Sequence, residues 1–229
     1  MATAPQALAI ADLPIRPRPG PGFRFVRRLI RGVGRTLFHV EVRGMENLPH
    51  RQNAVVIANH MQWIDALVVV ASLPPGPRIH VLGDLRGIPG WTLRIIRHIG
   101  GVIPIDREQG GSPELLAQVN RCLDAGGSFL IFPEGRCNES EGEVGPFRKG
   151  FAHFALHSGT SVVPVGLGGT RELWLRKRIV VVVGAPLRTD GHTAETLTDT
   201  ARAAVIALLP EVVDRGGPRL LRRRLTNLF

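Results

Sequence analysis

The chain has 229 residues, 44% of them hydrophobic, and a formal net charge of +10. That length and hydrophobicity suit one large domain with a sizeable core, and no run reaches the roughly 18 consecutive apolar residues of a membrane-spanning helix. With no Tyr and 5% aromatic residues, the positive charge lacks the stacking platforms of a nucleic-acid groove, so nucleic acid is excluded as a partner and an anionic membrane surface is favoured.

Residues 1–22 have no basic leader, and Asp12 interrupts their short apolar part. They do not read as a secretory signal. Pro14 to Gly22 is rich in Pro, Arg and Gly, so 1–22 is expected to be a disordered tail. Phe23 to Phe38 follows with Phe23, Val26, Ile30, Val33 and Leu37 at helical spacing and Arg24, Arg27, Arg28, Arg31 and Arg35 around them. This predicts a basic amphipathic helix over 23–38 that either lies in a membrane interface or packs on the domain. A second basic segment, 216–229, carries Arg219, Arg222, Arg223 and Arg224.

Between these ends strands and helices alternate. Strands are expected at His39–Arg43, Ala54–Ala58, Ile79–Leu82, Val102–Ile105, Ser128–Phe132, Ser161–Leu167 and Ile179–Val183. Helices are expected at Ile64–Leu73, Trp91–Ile99, Ser112–Ala125, Lys149–His157 and Thr193–Leu209. Pro104 restricts its strand to a sheet edge or a strand end. Ser112-Pro113-Glu114 reads as an N-cap followed by Pro in the first turn, and Gly126-Gly127 ends that helix. The alternation predicts a single α/β domain over 39–215, a sandwich with a largely parallel central sheet covered by helices. Runs such as Ile179-Val180-Val181-Val182-Val183 fit strands covered on both faces. Cys122 and Cys137 do not make a disulfide framework, which fits a reducing, cytoplasmic compartment; the basic amphipathic ends without a spanning run predict a peripheral position on the cytoplasmic face of the cell membrane.

Three apolar runs break into polar clusters where strands end: Asn59-His60 with Asp65, Asp106-Arg107, and Pro133-Glu134-Gly135-Arg136. In such folds, ligands bind at the carboxyl ends of the strands, so the three clusters point to one cleft. His60 and Asp65 are either each other's buried partner or a catalytic pair, in which the carboxylate fixes the tautomer of a general base. No Ser lies in that stretch to act as nucleophile, so His60 would deprotonate a hydroxyl or amine on the substrate. Arg107 and Arg136 could hold an anionic head group. No third ligand stands at zinc spacing from His60 and Asp65, so no metal is expected.

Asn59-His60-Met61-Gln62-Trp63-Ile64-Asp65 resembles the Asn-His-x-x-x-x-Asp motif of the glycerolipid acyltransferases of the 1-acylglycerol-3-phosphate acyltransferase type. Further blocks are similar in the family's order: Gly101 to Arg107, Phe132-Pro133-Glu134-Gly135, Pro146-Phe147-Arg148-Lys149-Gly150, and Val162-Val163-Pro164-Val165. The resemblance covers about Gly44 to Pro186. It implies acyl transfer from acyl-CoA or acyl carrier protein, as co-substrate rather than cofactor, to the hydroxyl of a lysolipid. In that implied scheme His60 is the base and Asp65 its orienter. Arg107 binds the acceptor's phosphate, Glu134, Gly135 and Arg136 belong to the acceptor site, and Asn59 and Pro164 are supporting. Cys137 stands where the family carries Arg, and Arg136 comes one position early. Other acceptors, such as lyso-ornithine lipid, therefore stand beside 1-acylglycerol-3-phosphate, as does a catalytically silent membrane scaffold.

Overall fold

The computed structural model describes residues 15–49, 52–84, 101–105 and 112–212. The expected helix Trp91–Ile99, the pair Asp106-Arg107 and the basic segment 216–229 lie outside the described residues, as do residues 1–14 of the expected tail.

In chain order the elements are α1 (Pro21–Leu37), β1 (His39–Arg43), a 3-10 turn (Met45–Asn47), β2 (Val55–Ala58), α2 (Asp65–Ser72), β3 (Ile79–Gly83) and β4 (Val102–Pro104). They continue with α3 (Pro113–Asp124), β5 (Ser128–Ile131), α4 (Gly150–Ser158), β6 (Val162–Gly168), β7 (Arg178–Val183) and α5 (Ala194–Ala207). The strands form one seven-stranded sheet in the order β1-β7-β6-β2-β5-β3-β4. All neighbouring pairs are parallel except β6 and β7. The connection 169–177 between those two is shorter than the dozen or so residues that a parallel crossover needs. Pro104 ends β4, and β4 is a sheet edge, as a residue without a backbone donor requires.

Alternation along the buried strands divides the core. Val55, Ile57 and Phe129 face a layer with α3, α4 and α5, where Val119, Phe151, Leu197 and Val205 are buried. Val56, Ala58 and Leu130 face the opposite layer with Phe38, Val69 and Leu73, under α1 and α2. The helix starts are written locally. Ser112 accepts from the Leu115 N–H at 3.2 Å with Pro113 in the first turn of α3, and Thr193 and Thr196 form a reciprocal capping box on α5.

Residues 15–20 run along the fold. The Arg16 N–H donates to His80 Nε2 at 3.3 Å, and the Arg78 N–H donates to the Pro17 carbonyl at 3.1 Å. Helix α1 is tied to the domain by its inner face. Phe23 is buried with the Arg78 guanidinium 4.3 Å from its ring centre. The Arg27 guanidinium donates to the carbonyls of Val70, Ala71 and Leu73, which end α2; a cation there also complements the helix dipole. Val33, which helical spacing groups with the inner stripe, is instead 50% exposed, and Phe25 and Leu29 are 68% and 56% exposed. Since 3.6 residues make a turn, Phe25, Leu29 and Val33 form their own outward stripe.

Candidate active site

Strands β2 and β5 are parallel neighbours, so the segments that follow them emerge at the same end of the sheet. Beyond β2 the chain turns through residues 59–64 and enters α2, whose first residue is Asp65. Asp65 is fully buried. Its Oδ2 accepts from His60 Nδ1 at 2.8 Å, the Met61 N–H at 2.6 Å and the Gln62 N–H at 2.8 Å. One carboxylate oxygen therefore shapes the turn and orients the imidazole together. Its position at the start of α2 suits a negative charge. Because an ionised carboxylate only accepts, Nδ1 carries the proton of the neutral ring and Nε2 is left able to accept one.

The ring is also held by packing. His60 stacks on Phe132, with centroids 4.2 Å apart and planes 17° apart. The backbone of His60 is clamped at both ends by the segment after β5: its N–H donates to Glu134 Oε1 at 3.0 Å, and its carbonyl accepts from the Asn138 N–H at 2.7 Å. The other oxygen of Glu134 accepts from the Gly145 N–H at 2.8 Å. Arg202, on α5, donates to the carbonyls of Gly145 and Val144 at 2.9 and 2.8 Å. The first and third sequence clusters thus form one unit, with Glu134 at its centre holding backbone rather than facing outward.

Burial is the largest influence on His60 and opposes its charged form. Hydrogen bonds with Asp65 and Cys137, and the charges of both, outweigh it and push the imidazole up to about 9. Linkage follows: the pair adds stability that is complete below the ordinary His value of about 6.5 and is lost as pH rises through about 9. Cys137 is a free, exposed thiol beside the imidazole.

The remaining sequence candidates take different places. Asn59 is fully buried and continues the β2–β6 ladder with its side chain: Nδ2 donates to the Leu167 carbonyl at 3.0 Å, and Oδ1 accepts from the Leu167 N–H at 2.7 Å. Pro164 lies opposite Ile57 inside the sheet. Its carbonyl accepts from the Gly184 N–H at 2.9 Å, so its missing donor falls where the ladder with β7 ends. Gly135 has φ +69, a left-handed turn that glycine adopts without strain. Arg136 is exposed. Arg107 lies outside the described residues, so the structure brings together His60, Asp65, Glu134 and Gly135 of the candidates. Sequence reading missed the clamp made by Glu134 and Asn138. Its one visible signal was a carboxylate directly after an apolar strand, where burial demands partners.

A family model described as "Acyltransferase" matches residues 39–168. The human 1-acyl-sn-glycerol-3-phosphate acyltransferase alpha is 28% identical over 203 residues, covering 80% of this chain and 69% of the relative. A 1-acyl-sn-glycerol-3-phosphate acyltransferase of Pseudomonas aeruginosa is 27% identical over 174 residues, covering 72% and 65%. Among solved structures, the 1-acyl-sn-glycerophosphate (LPA) acyltransferase PlsC of Thermotoga maritima superposes with a TM-score of 0.64 at 24% identity over 80% of this chain and 78% of that one, a likeness of fold. The family match runs from β1 to the end of β6 and includes both strands that carry the His60 unit: the chain belongs to the acyltransferase family.

Proposed function

We propose that the protein transfers a fatty acyl group from a thioester donor, acyl-CoA or acyl carrier protein, to the free hydroxyl of 1-acylglycerol-3-phosphate in phospholipid biosynthesis. The carrying observation is the His60–Asp65 pair, in which Asp65 takes Nδ1 and leaves Nε2, beside the exposed Cys137 thiol, to meet substrate. The His60 side chain is 13% exposed just beyond the carboxyl end of β2. His60 Nε2 takes the hydroxyl proton as the oxygen attacks the thioester carbonyl. The tetrahedral intermediate then expels the donor thiolate, which recovers the proton from the imidazolium. The names of the relatives support the acceptor.

With His60 pushed up to about 9, the free enzyme is largely protonated at neutral pH. kcat/KM is expected to rise about tenfold per pH unit toward a midpoint near 9. Cys137 contributes to that value, so Cys137→Ala should lower the midpoint and raise activity at neutral pH. A pH–rate profile of both forms checks this, and coincident midpoints would contradict it. The same neighbour motivates a second reading, a covalent route through a Cys137 thioester. That route releases one donor thiol per enzyme before any acceptor is present.

The site is best served at a membrane surface, where the lysolipid acceptor and its diacyl product reside. Among the described residues no helix is long and apolar enough to cross a membrane. The outward stripe Phe25, Leu29 and Val33 of α1, beside Arg24, Arg28, Arg31 and Arg35, is suited to lie in the interface. Burying each large apolar side chain contributes about 1.5 to 3 kcal/mol, and each Arg near anionic lipid about 1 kcal/mol. Phe25→Ser with Leu29→Ser should weaken binding to anionic vesicles by roughly a hundredfold or more, and high salt should weaken it further. Cosedimentation measures both effects; binding indifferent to both would contradict a peripheral mode through α1.

A further inference from the structure

We infer that Arg148, seated on Gly135, is a head-group cation of this site and recognises the phosphate monoester of the acceptor. The seat is visible in the geometry. A Cβ at Gly135 would stand 2.9 Å from Arg148 Nε, 3.0 Å from Cζ and 3.4 Å from Cδ, so the guanidinium lies against the bare α-carbon. The backbone is strapped at the same place, the Arg148 N–H donating to the Pro133 carbonyl at 2.8 Å. Phe147 next to it packs edge-on to Phe151, with centroids 6.3 Å apart, which anchors the segment on the core. The cation is thus held on the turn whose Glu134 fixes the backbone of His60.

Its charge is uncommitted. Arg148 makes no ion pair with a carboxylate among the described residues, while Lys149 beside it pairs with Glu195 at 2.5 Å. Glu134, the nearest carboxylate along the turn, spends its two oxygens on the N–H groups of His60 and Gly145. An exposed planar guanidinium that rests on the Gly135 turn and has no acid partner suits bidentate contact with a phosphate. In 1-acylglycerol-3-phosphate the phosphate is on the carbon next to the one bearing the free hydroxyl. A cation that grips it must stand within a glycerophosphate's length of His60; Arg148 rests on Gly135, the residue after Glu134, whose Oε1 is 3.0 Å from the His60 backbone nitrogen. Cys137 brings no positive charge to this block, so Arg148 supplies one from the other side of the turn.

The inference rests on the acyl-transfer reading for its ligand, and the test separates the two. Turnover is compared for a short-chain lysophosphatidate and an uncharged monoacylglycerol, and lysophosphatidate binding is measured by calorimetry in the His60→Ala background, where no turnover is needed. Arg148→Ala should raise KM and Kd for lysophosphatidate by roughly ten- to a hundredfold, with monoacylglycerol kinetics unchanged. Arg148→Lys should recover part of the loss, because a point charge remains without the fork. Equal losses on both acceptors would assign Arg148 a structural role and overturn the inference, as would unchanged lysophosphatidate binding. Absence of turnover on both acceptors by the wild type would overturn the function while the binding measurement still decides Arg148.

Discussion

His60→Ala is expected to slow acyl transfer by about 10² to 10⁴, the usual contribution of a general base, with the fold retained. The ring contributes stacking on Phe132 and one bond to Asp65, but the turn around it is built on backbone. Met61 and Gln62 still donate to Asp65 Oδ2, and Glu134 and Asn138 still hold the main chain of residue 60. Asp65→Asn should be damaging in a different way. It removes the charge on which three donors converge, and an amide can present N–H to Nδ1 and move the imidazole proton to Nε2, the wrong nitrogen for a base. The midpoint of the pH–rate profile should then fall, since Asp65 is among the causes that raise His60. Steady-state kinetics with circular dichroism on both variants separates lost chemistry from lost structure.

Glu134→Ala should cost stability and activity together. The carboxylate is 5% exposed and accepts two backbone N–H groups, at 3.0 and 2.8 Å. Leaving each buried donor without a partner costs about 1 to 3 kcal/mol, so the pair amounts to about 2 to 6 kcal/mol, and Tm should fall on the order of 10 °C. Activity should fall further than unfolding explains, because His60 loses the clamp on its own backbone. Glu134→Gln keeps an acceptor oxygen and should lie between. Calorimetric melting beside kcat tests this; an alanine variant that melts and turns over like wild type would place Glu134 outside the catalytic unit.

What was legible in the sequence was local. Strands β2, β6 and β7 are, apart from Arg178 at the start of β7, runs without polar residues, and their burial on both faces follows from the absence of polar alternation. Pro104 marked an edge because a missing N–H has few places in a sheet. His60 and Asp65 were legible as a pair since both lie within one turn of chain. The clamp was not: it depends on β5 lying beside β2, though some 70 residues separate the clusters. Glu134 therefore resembled a substrate contact when its oxygens are spent on backbone. The same non-local packing seats Arg148 on Gly135. Asn59 was read as polar support and proves to be a side-chain continuation of the β2–β6 ladder. On α1, helical spacing groups Val33 with Phe23, Val26, Ile30 and Leu37, but Val33 stands at the margin of that stripe and is 50% exposed, in line with Phe25 and Leu29.

The central claim is direct transfer from a thioester to a lysolipid hydroxyl with His60 as base. It is tested most directly by mixing purified protein with acyl-CoA and following free thiol and lipid product together, first without and then with 1-acylglycerol-3-phosphate. Wild type is expected to release thiol only when the acceptor is added, one thiol for each phosphatidic acid formed, and folded His60→Ala to produce neither at a comparable rate. Product formed by His60→Ala at the wild-type rate would contradict the claim, as would a stoichiometric burst of thiol before the acceptor is present.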